Sequence, residues 1–394
     1  MDPGQNNHLK AYGLIYWVLK QDVPVDWLLN FRGGSFLCRY EQDIENELII
    51  RGVSYEVLSD AEVNQLTTEI SSPAINQDMM RLEQYPKIAV YSPKTANPWD
   101  DAVMLALNYA EIPYEIVFDD EVLMGELPKY DWLHLHHEDF TGQYSKFYVA
   151  FHMYAWYQDK QREYEDTARK HGFTKVSAMK SAVAKKIRDF VSGGGFMFAM
   201  CLATDTYDIA LAADGIDIVG EVYDGDGMDP DAQSKLDFSQ TLAFHNFHIV
   251  RNPWEIEFSD IDVHLADREV KPENDYFQLF EFSAKWDPIP TMLTQNHDRT
   301  VKGFLGATTA FRKQFIRSEV VIMGENKEAQ EAKYMHGVFG KGFWTYYGGH
   351  DPEDYQHNIG EPPTDLNLYP NSPGYRLILN NVLFPAAKKK KQKT

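Results

Sequence analysis

The stretch "GGGFMFAMCLATDTYDIALAADG", residues 193–215, decides the fold. Three glycines lead into "GFMFAM", an apolar run of strand length that stops at Cys201. A run with a polar start and helical spacing follows it. Strand-then-helix units of this kind build parallel sheets covered on both faces by helices. Ligands in such sheets bind beyond the carboxyl ends of the strands, which is where Cys201 stands. Two readings are open for this residue: a nucleophile on a strand-to-helix turn, and a small buried cysteine, the common fate of a free thiol. In the first reading the helix end behind the thiol lowers its pKa and supplies backbone N–H groups to an oxyanion, that of Leu202 first.

The same alternation recurs on either side. From residue 86, "KIAVYSP" reads as a strand and "PWDDAVMLALNYAEI" as a helix with Pro98 near its first turn. "PYEIVFD" and "YDWLHLH" read as strands, and residues 144–192 as two helices parted by Gly172. Residues 216–300 are acidic, aromatic and turn-rich, an insertion with short strands. "VVIMGE", "HGVFG", "KGFWTYYGG" and "GYRLILNNVLFP" return to the core. Upstream, "HLKAYGLIYWVLKQD" reads as a helix, "VDWLLNF" as a strand, "RGGSF" as a turn and "EQDIENELIIRG" as a helix closed by Gly52. "VSYEVLS" then reads as a strand, and "SSPAINQDMMRLEQYP" as a connection. The expectation is a smaller α/β unit over residues 1–80 and a larger domain over residues 86–394. The larger domain carries a helical insertion near 144–172 and the acidic one near 216–300.

Composition narrows the function classes. The chain has 394 residues, with 38 Lys and Arg against 59 Asp and Glu, a net charge of −21. That balance excludes a nucleic-acid or anionic-membrane partner as the main business of the surface. The exception, "KKKKQKT" at the end, reads as a solvated terminus. No window has the roughly 18 uninterrupted apolar residues of a membrane span. Cys38 and Cys201 give neither a disulfide framework nor a zinc-finger spacing, so a reduced, cytoplasmic setting is expected. The chain opens almost at once into a helix, so a trimmed start, and with it export, stays open as the alternative. "YSKFYVAFHMYAWY", residues 144–157, reads as a core or subunit-contact helix, which makes a homo-oligomer one expectation.

Three predicted strands end in reactive residues. "YDWLHLHH" delivers His136, His137, Glu138 and Asp139; "GFMFAM" delivers Cys201; "GFWTYYGG" delivers His350, Asp351 and Glu353. A parallel sheet places these at one edge. Strand alternation puts His134 and His136 on one face and His137 on the other. His136 or His137 with Glu138, Cys201 and His350 can satisfy zinc or a similar divalent metal; the alternative is a set of polar groups hydrogen-bonded at a sheet edge. "YDGDGMDPD", residues 223–231, invites a calcium reading, but Met228 and Asp229 occupy positions that need an oxygen ligand and a glycine, so an acidic turn is expected.

"GGFMFAMCLATDT" together with "GFWTYYGGHDPE" resembles the class I glutamine amidotransferase-like superfamily. The resemblance implies a flavodoxin-like parallel sheet with helices on both faces. It also implies a Cys-His-carboxylate site of Cys201 as nucleophile, His350 as base, and Asp351 or Glu353 as orienter. The family's late H-x-E is here "HDPE", with one residue inserted. The loop after the third strand, Gly-rich in the family, is here "HHEDFTG", so His136 or His137 would stand in as oxyanion or substrate donor. The whole chain is similar to a bacterial family of this length commonly labelled asparagine synthetase B, on "NHLKAYG", "VDWLLNFRGGSF", "HLHHEDFTGQ" and "AQSKLDFS". ATP-dependent asparagine synthesis requires a cysteine after the initiator Met and an S-G-G-x-D-S loop. Here Asp2 and "SGGGFM" stand instead. The expected activity is therefore hydrolysis of a small-molecule amide or ester, with no cofactor required. The alternatives are a non-catalytic binding or assembly protein on the same scaffold, and a metal-dependent hydrolase using the "HLHHED" cluster.

Overall fold

The computed structural model describes residues 1–94, 101–262, 268–356, 358 and 360–387. Pro98 and the basic tail lie outside them. The chain begins with α1 (His8–Lys20), β1 (Val25–Leu29), β2 (Ser35–Leu37), α2 (Gln42–Arg51), α3 (Asp60–Ser71) and β3 (Asp78–Leu82). Its three strands form a separate antiparallel sheet in the order β2-β1-β3. α2 ends on Gly52, whose φ of 67° closes the helix as expected.

Two expectations fail here. Residues 53–59 form no strand; they lead into α3, whose start is a capping box between Ser59 and Glu62. That S-x-x-E signature outweighs the β-branched residues before it. The supposed connection around residues 72–86 contains β3, which pairs along the whole of β1.

The second sheet contains β4 (Ile88–Tyr91), β5 (Glu115–Val117), β6 (Trp132–Leu135), β7 (Phe196–Met200), β8 (Tyr276–Leu279), β9 (Thr300–Lys302), β10 (Phe311–Arg312), β11 (Val321–Asn326), β12 (Glu331–Phe339) and β13 (Gly342–Tyr347). Its order is β5-β4-β6-β7-β13-β12-β11-β8-β9, with β10 pairing to β12. The run from β5 to β13 is parallel; from β13 onward the pairing is antiparallel. The molecule is thus α/β with a mixed sheet, which corrects the expectation of a parallel one.

The cause is connection length. Where helices intervene, as with α4 (Ala102–Ala110) between β4 and β5, the chain crosses over and returns parallel. Only Gly340 and Lys341 separate β12 from β13, and two residues permit nothing but a hairpin. Gly340 turns it at φ 60°, packed so closely on Ser192 that a side chain would clash. The acidic insertion was read as carrying short strands; β8, within it, and β9, at its end, complete the far edge of this sheet.

β4, β6 and β7 are buried at every residue, so both sheet faces are covered. The helices Val176–Gly193 and Leu202–Ala212 pack on β7 and on each other. α1 has ten buried residues of thirteen because it packs against both α4 and the terminal helix Pro373–Leu383. The N-terminal unit therefore shares the main core. Among the described residues no helix is long and apolar enough to cross a membrane.

Candidate functional site

Cys201 alone bridges β7 and the Leu202–Ala212 helix. Its φ of 48° and ψ of −133° fit glycine far better than a residue with a Cβ. A strained non-glycine residue at a strand-to-helix turn is the geometry that projects a nucleophile at a sheet edge. The residue as a whole is 3% exposed. Burial pushes its pKa up, opposed by N–H groups of Thr308, Ala307 and Leu202. The expectation of a lowered thiol pKa is thereby reversed: loss of water outweighs the helix end.

What covers the thiol is a loop, residues 304–310, that sequence reading passed over. The Ala307 N–H donates to Cys201 Sγ at 3.1 Å. The Thr308 hydroxyl donates to Asp205 at 2.8 Å, and the Thr309 and Ala310 N–H groups donate to Asp262 at 2.6 and 3.2 Å. Lys333, buried in β12, donates to the carbonyls of Phe304 and Thr309 at 2.5 and 2.8 Å. The Gly349 and His350 N–H groups donate to Thr308 and Leu305 carbonyls, both at 2.8 Å, so one loop touches both the Cys201 and His350 segments. A side chain on Gly306 would come within 3.0 Å of the His350 backbone.

The structure brings His136, His137 and His350 together. The His136 and His137 rings stack at 4.0 Å between centroids, and each lies 4.8 Å from the His350 ring. Strand alternation predicted His136 and His137 on opposite faces. β6 ends at Leu135, so the alternation no longer holds at 136 and 137. The His136 carbonyl accepts from Ala203 N–H at 2.9 Å, tying this loop to the start of the helix after Cys201.

The acidic candidates are engaged by other groups. Glu138 accepts from the Tyr164 hydroxyl and pairs with Lys160 at 3.7 Å. Both oxygens of Asp351 are engaged, by the hydroxyls of Tyr375 and Thr364, each at 2.7 Å. Glu353 accepts from the Ser372 hydroxyl, and burial raises its pKa. The carboxylate at the histidines is instead Asp101, the N-cap of α4. Its Oδ1 accepts from Val103 and Met104 N–H groups, while Oδ2 stands 3.1 Å from His134 Nε2 and 3.3 Å from His136 Nδ1. An Asp opening a predicted helix was legible as a cap, but nothing local pointed it at β6.

Elsewhere, the acidic turn near residue 224 is organised by a lysine. Lys175 Nζ pairs with Asp217, Asp224 and Asp226 at 2.6, 3.2 and 2.5 Å. A cavity of about 510 Å³ lies between the N-terminal unit and residues 294–299, away from Cys201.

No family model and no curated protein matches the chain. Among solved structures it is similar to the cytoplasmic proteins STM3548 and STM1381 of Salmonella typhimurium. Each is 11% identical over 77% of this chain and 100% of its own, with a TM-score of 0.37. It is also similar to Gan42B, a GH42 beta-galactosidase from G. stearothermophilus, at 11% identity over 68% of this chain and 28% of that one, with a TM-score of 0.28. Likenesses this distant carry no argument about fold or function.

Proposed function

We propose that the chain is a Cys-dependent hydrolase of an amide or ester on a class I amidotransferase-like, flavodoxin-like scaffold. The order β5-β4-β6-β7-β13 of the parallel strands supports the scaffold, because in chain order it is 2-1-3-4-5. The observation that carries the reaction is the positive-φ turn at Cys201, with backbone N–H groups directed at its sulfur.

The Cys201 sulfur attacks the carbonyl carbon, and its proton passes to the His350 imidazole. The resulting oxyanion takes hydrogen bonds from the N–H groups of Leu202 and Ala307, the latter in place of the family's glycine donor. The bond to nitrogen or oxygen breaks, the leaving group takes the proton from the imidazolium, and a thioester remains. Water, deprotonated by the same imidazole, releases the acid and restores the thiol. Loop 304–310 must swing aside for substrate to enter.

The test is turnover of p-nitrophenyl acetate and release of ammonia from glutamine, with mass spectrometry of the Cys201 peptide. An acetyl group on Cys201, and loss of turnover in Cys201→Ala, are expected. Full turnover by Cys201→Ala overturns the reading. A non-catalytic binding or assembly role is the second reading, favoured by the burial of Cys201, 3% exposed. Absence of turnover with every substrate, including after loop mutation, would establish it.

A further inference from the structure

One ligand nitrogen from each of His136, His137 and His350 lies within 4.8 Å of the other two. His136 is 1% exposed and His137 8%. Three imidazoles this close cannot all be protonated, because like charges in a buried site repel strongly.

The surroundings of His136 add a second observation. Its Nδ1 faces the Asp101 carboxylate, while its Nε2 is buried with no hydrogen-bond partner. A buried ring nitrogen left unpartnered is costly, so such a group points to something to bind. A histidine that ligates a metal characteristically turns its other nitrogen to a carboxylate, and Asp101 is already fixed for that purpose by two N–H groups of α4. The acidic cluster around Asp224 has no such feature, since Lys175 fills it.

We infer that His136, His137 and His350 form a binding site for a divalent transition-metal ion of the zinc class, and that an ion held there takes the His350 lone pair away from Cys201. Three neutral nitrogen donors suit zinc, cobalt, nickel or copper and not magnesium or calcium. Zinc–nitrogen bonds of about 2.0–2.1 Å place tetrahedral ligands roughly 3.3 Å apart, so the three rings must draw together and His136 and His137 must turn out of their 12° stack for their in-plane lone pairs to meet on one ion. Glu138, named with these histidines from sequence, is held by Tyr164 and Lys160 and is not a ligand. The second half of the inference rests on the hydrolase reading above: metal loading removes the base and switches thiol chemistry off. The first half does not depend on it.

The experiment is equilibrium dialysis of the metal-free full chain with Zn²⁺, and absorption spectroscopy with Co²⁺. One equivalent per chain is expected, with the visible bands of a nitrogen-ligated cobalt site. Asp101→Asn should weaken zinc binding about 10–100-fold, and His350→Gln and His136→Ala should each weaken it at least as much. Cys201→Ala should bind zinc as the wild type does. His350→Gln is the decisive variant if His136→Ala fails to fold, since His350 is only half-buried. Failure to bind zinc stoichiometrically, or binding indifferent to His350→Gln, overturns the site. Zinc should also suppress p-nitrophenyl acetate turnover, and chelator should restore it. If zinc instead accelerates turnover and Cys201→Ala remains active, the site stands while the switching role and the thiol mechanism both fall.

Discussion

The backbone N–H of Ala307 donates to the sulfur of Cys201 across 3.1 Å. These two residues are far apart in the chain, and their contact both steadies a thiolate and shuts the thiol from solvent. A nucleophile closed off in this way has to be released before it can work.

Alkylation should follow that release. Cys38, half-buried, should react with iodoacetamide first, and Cys201 slowly. Thr308→Val removes the 2.8 Å hydrogen bond that anchors the loop to Asp205. A hydrogen bond to a charged group is worth about 1.5–3 kcal/mol, so Cys201 labelling should accelerate about tenfold or more. Peptide mapping after timed labelling measures this; equal rates for wild type and variant would mean that the loop does not gate the thiol.

The backbone at Cys201 makes a separate prediction. Its φ of 48° and ψ of −133° cost a residue with a side chain about 1–3 kcal/mol, which glycine avoids. Cys201→Gly should therefore be more stable than Cys201→Ala, by about 1 kcal/mol in urea unfolding, while both lose turnover. Equal stabilities would show that the turn is unstrained.

Stability should depend on pH through the helix that follows Cys201. Burial pushes Asp205 up to about 7, Thr308 pulling the other way and Asp262 adding to the rise. Burial likewise pushes Asp208 up to about 6 against three backbone N–H groups. Each binds its proton more tightly folded than unfolded. This stabilisation is complete below about pH 4 and is lost as pH rises through about 6 to 7, amounting to roughly 2–4 kcal/mol per group. Asp205→Asn cannot titrate, so its stability relative to wild type should improve between pH 4 and pH 8. Parallel curves of unfolding free energy against pH would contradict the assignment.

Behind the histidine loop, Lys180 and Asp119 form a fully buried pair at 2.9 Å, with Tyr91 also bonded to Lys180 at 3.0 Å. The ammonium lies 4.6 and 4.4 Å from the ring centroids of Phe118 and Tyr164. Lys180→Met leaves Asp119 buried without its counter-ion, bonded only by the Tyr91 hydroxyl among these groups, at a cost of about 3–5 kcal/mol. The double variant Lys180→Met with Asp119→Leu should recover much of it. Thermal unfolding of the three proteins tests this, and an undiminished melting temperature for Lys180→Met would refute it.

The sequence alone determined the local pieces. Apolar runs bounded by turn residues marked β4, β6, β7 and β13, and helical spacing marked α1, α2 and α4, with Gly52 closing α2, because these signals arise from neighbours in the chain. It also placed Cys201 between a strand and a helix, and put His136, His137 and His350 at strand ends. Tertiary structure decided the rest. Whether β8 and β9 joined the main sheet, and that β11 and β12 joined it antiparallel, depended on long-range pairing, which no local pattern encodes. His137 stacks on His136 because the strand has already ended, so loop packing replaces alternation. Asp101, and not Glu138, meets the histidines because α4 docks its N-terminus beside β6. Loop 304–310 covers Cys201 because Asp205, Asp262 and Lys333, three buried ionisable groups from separate segments, hold it there. Each of those contacts is electrostatic and distant in sequence, and only the folded core brings the partners within reach.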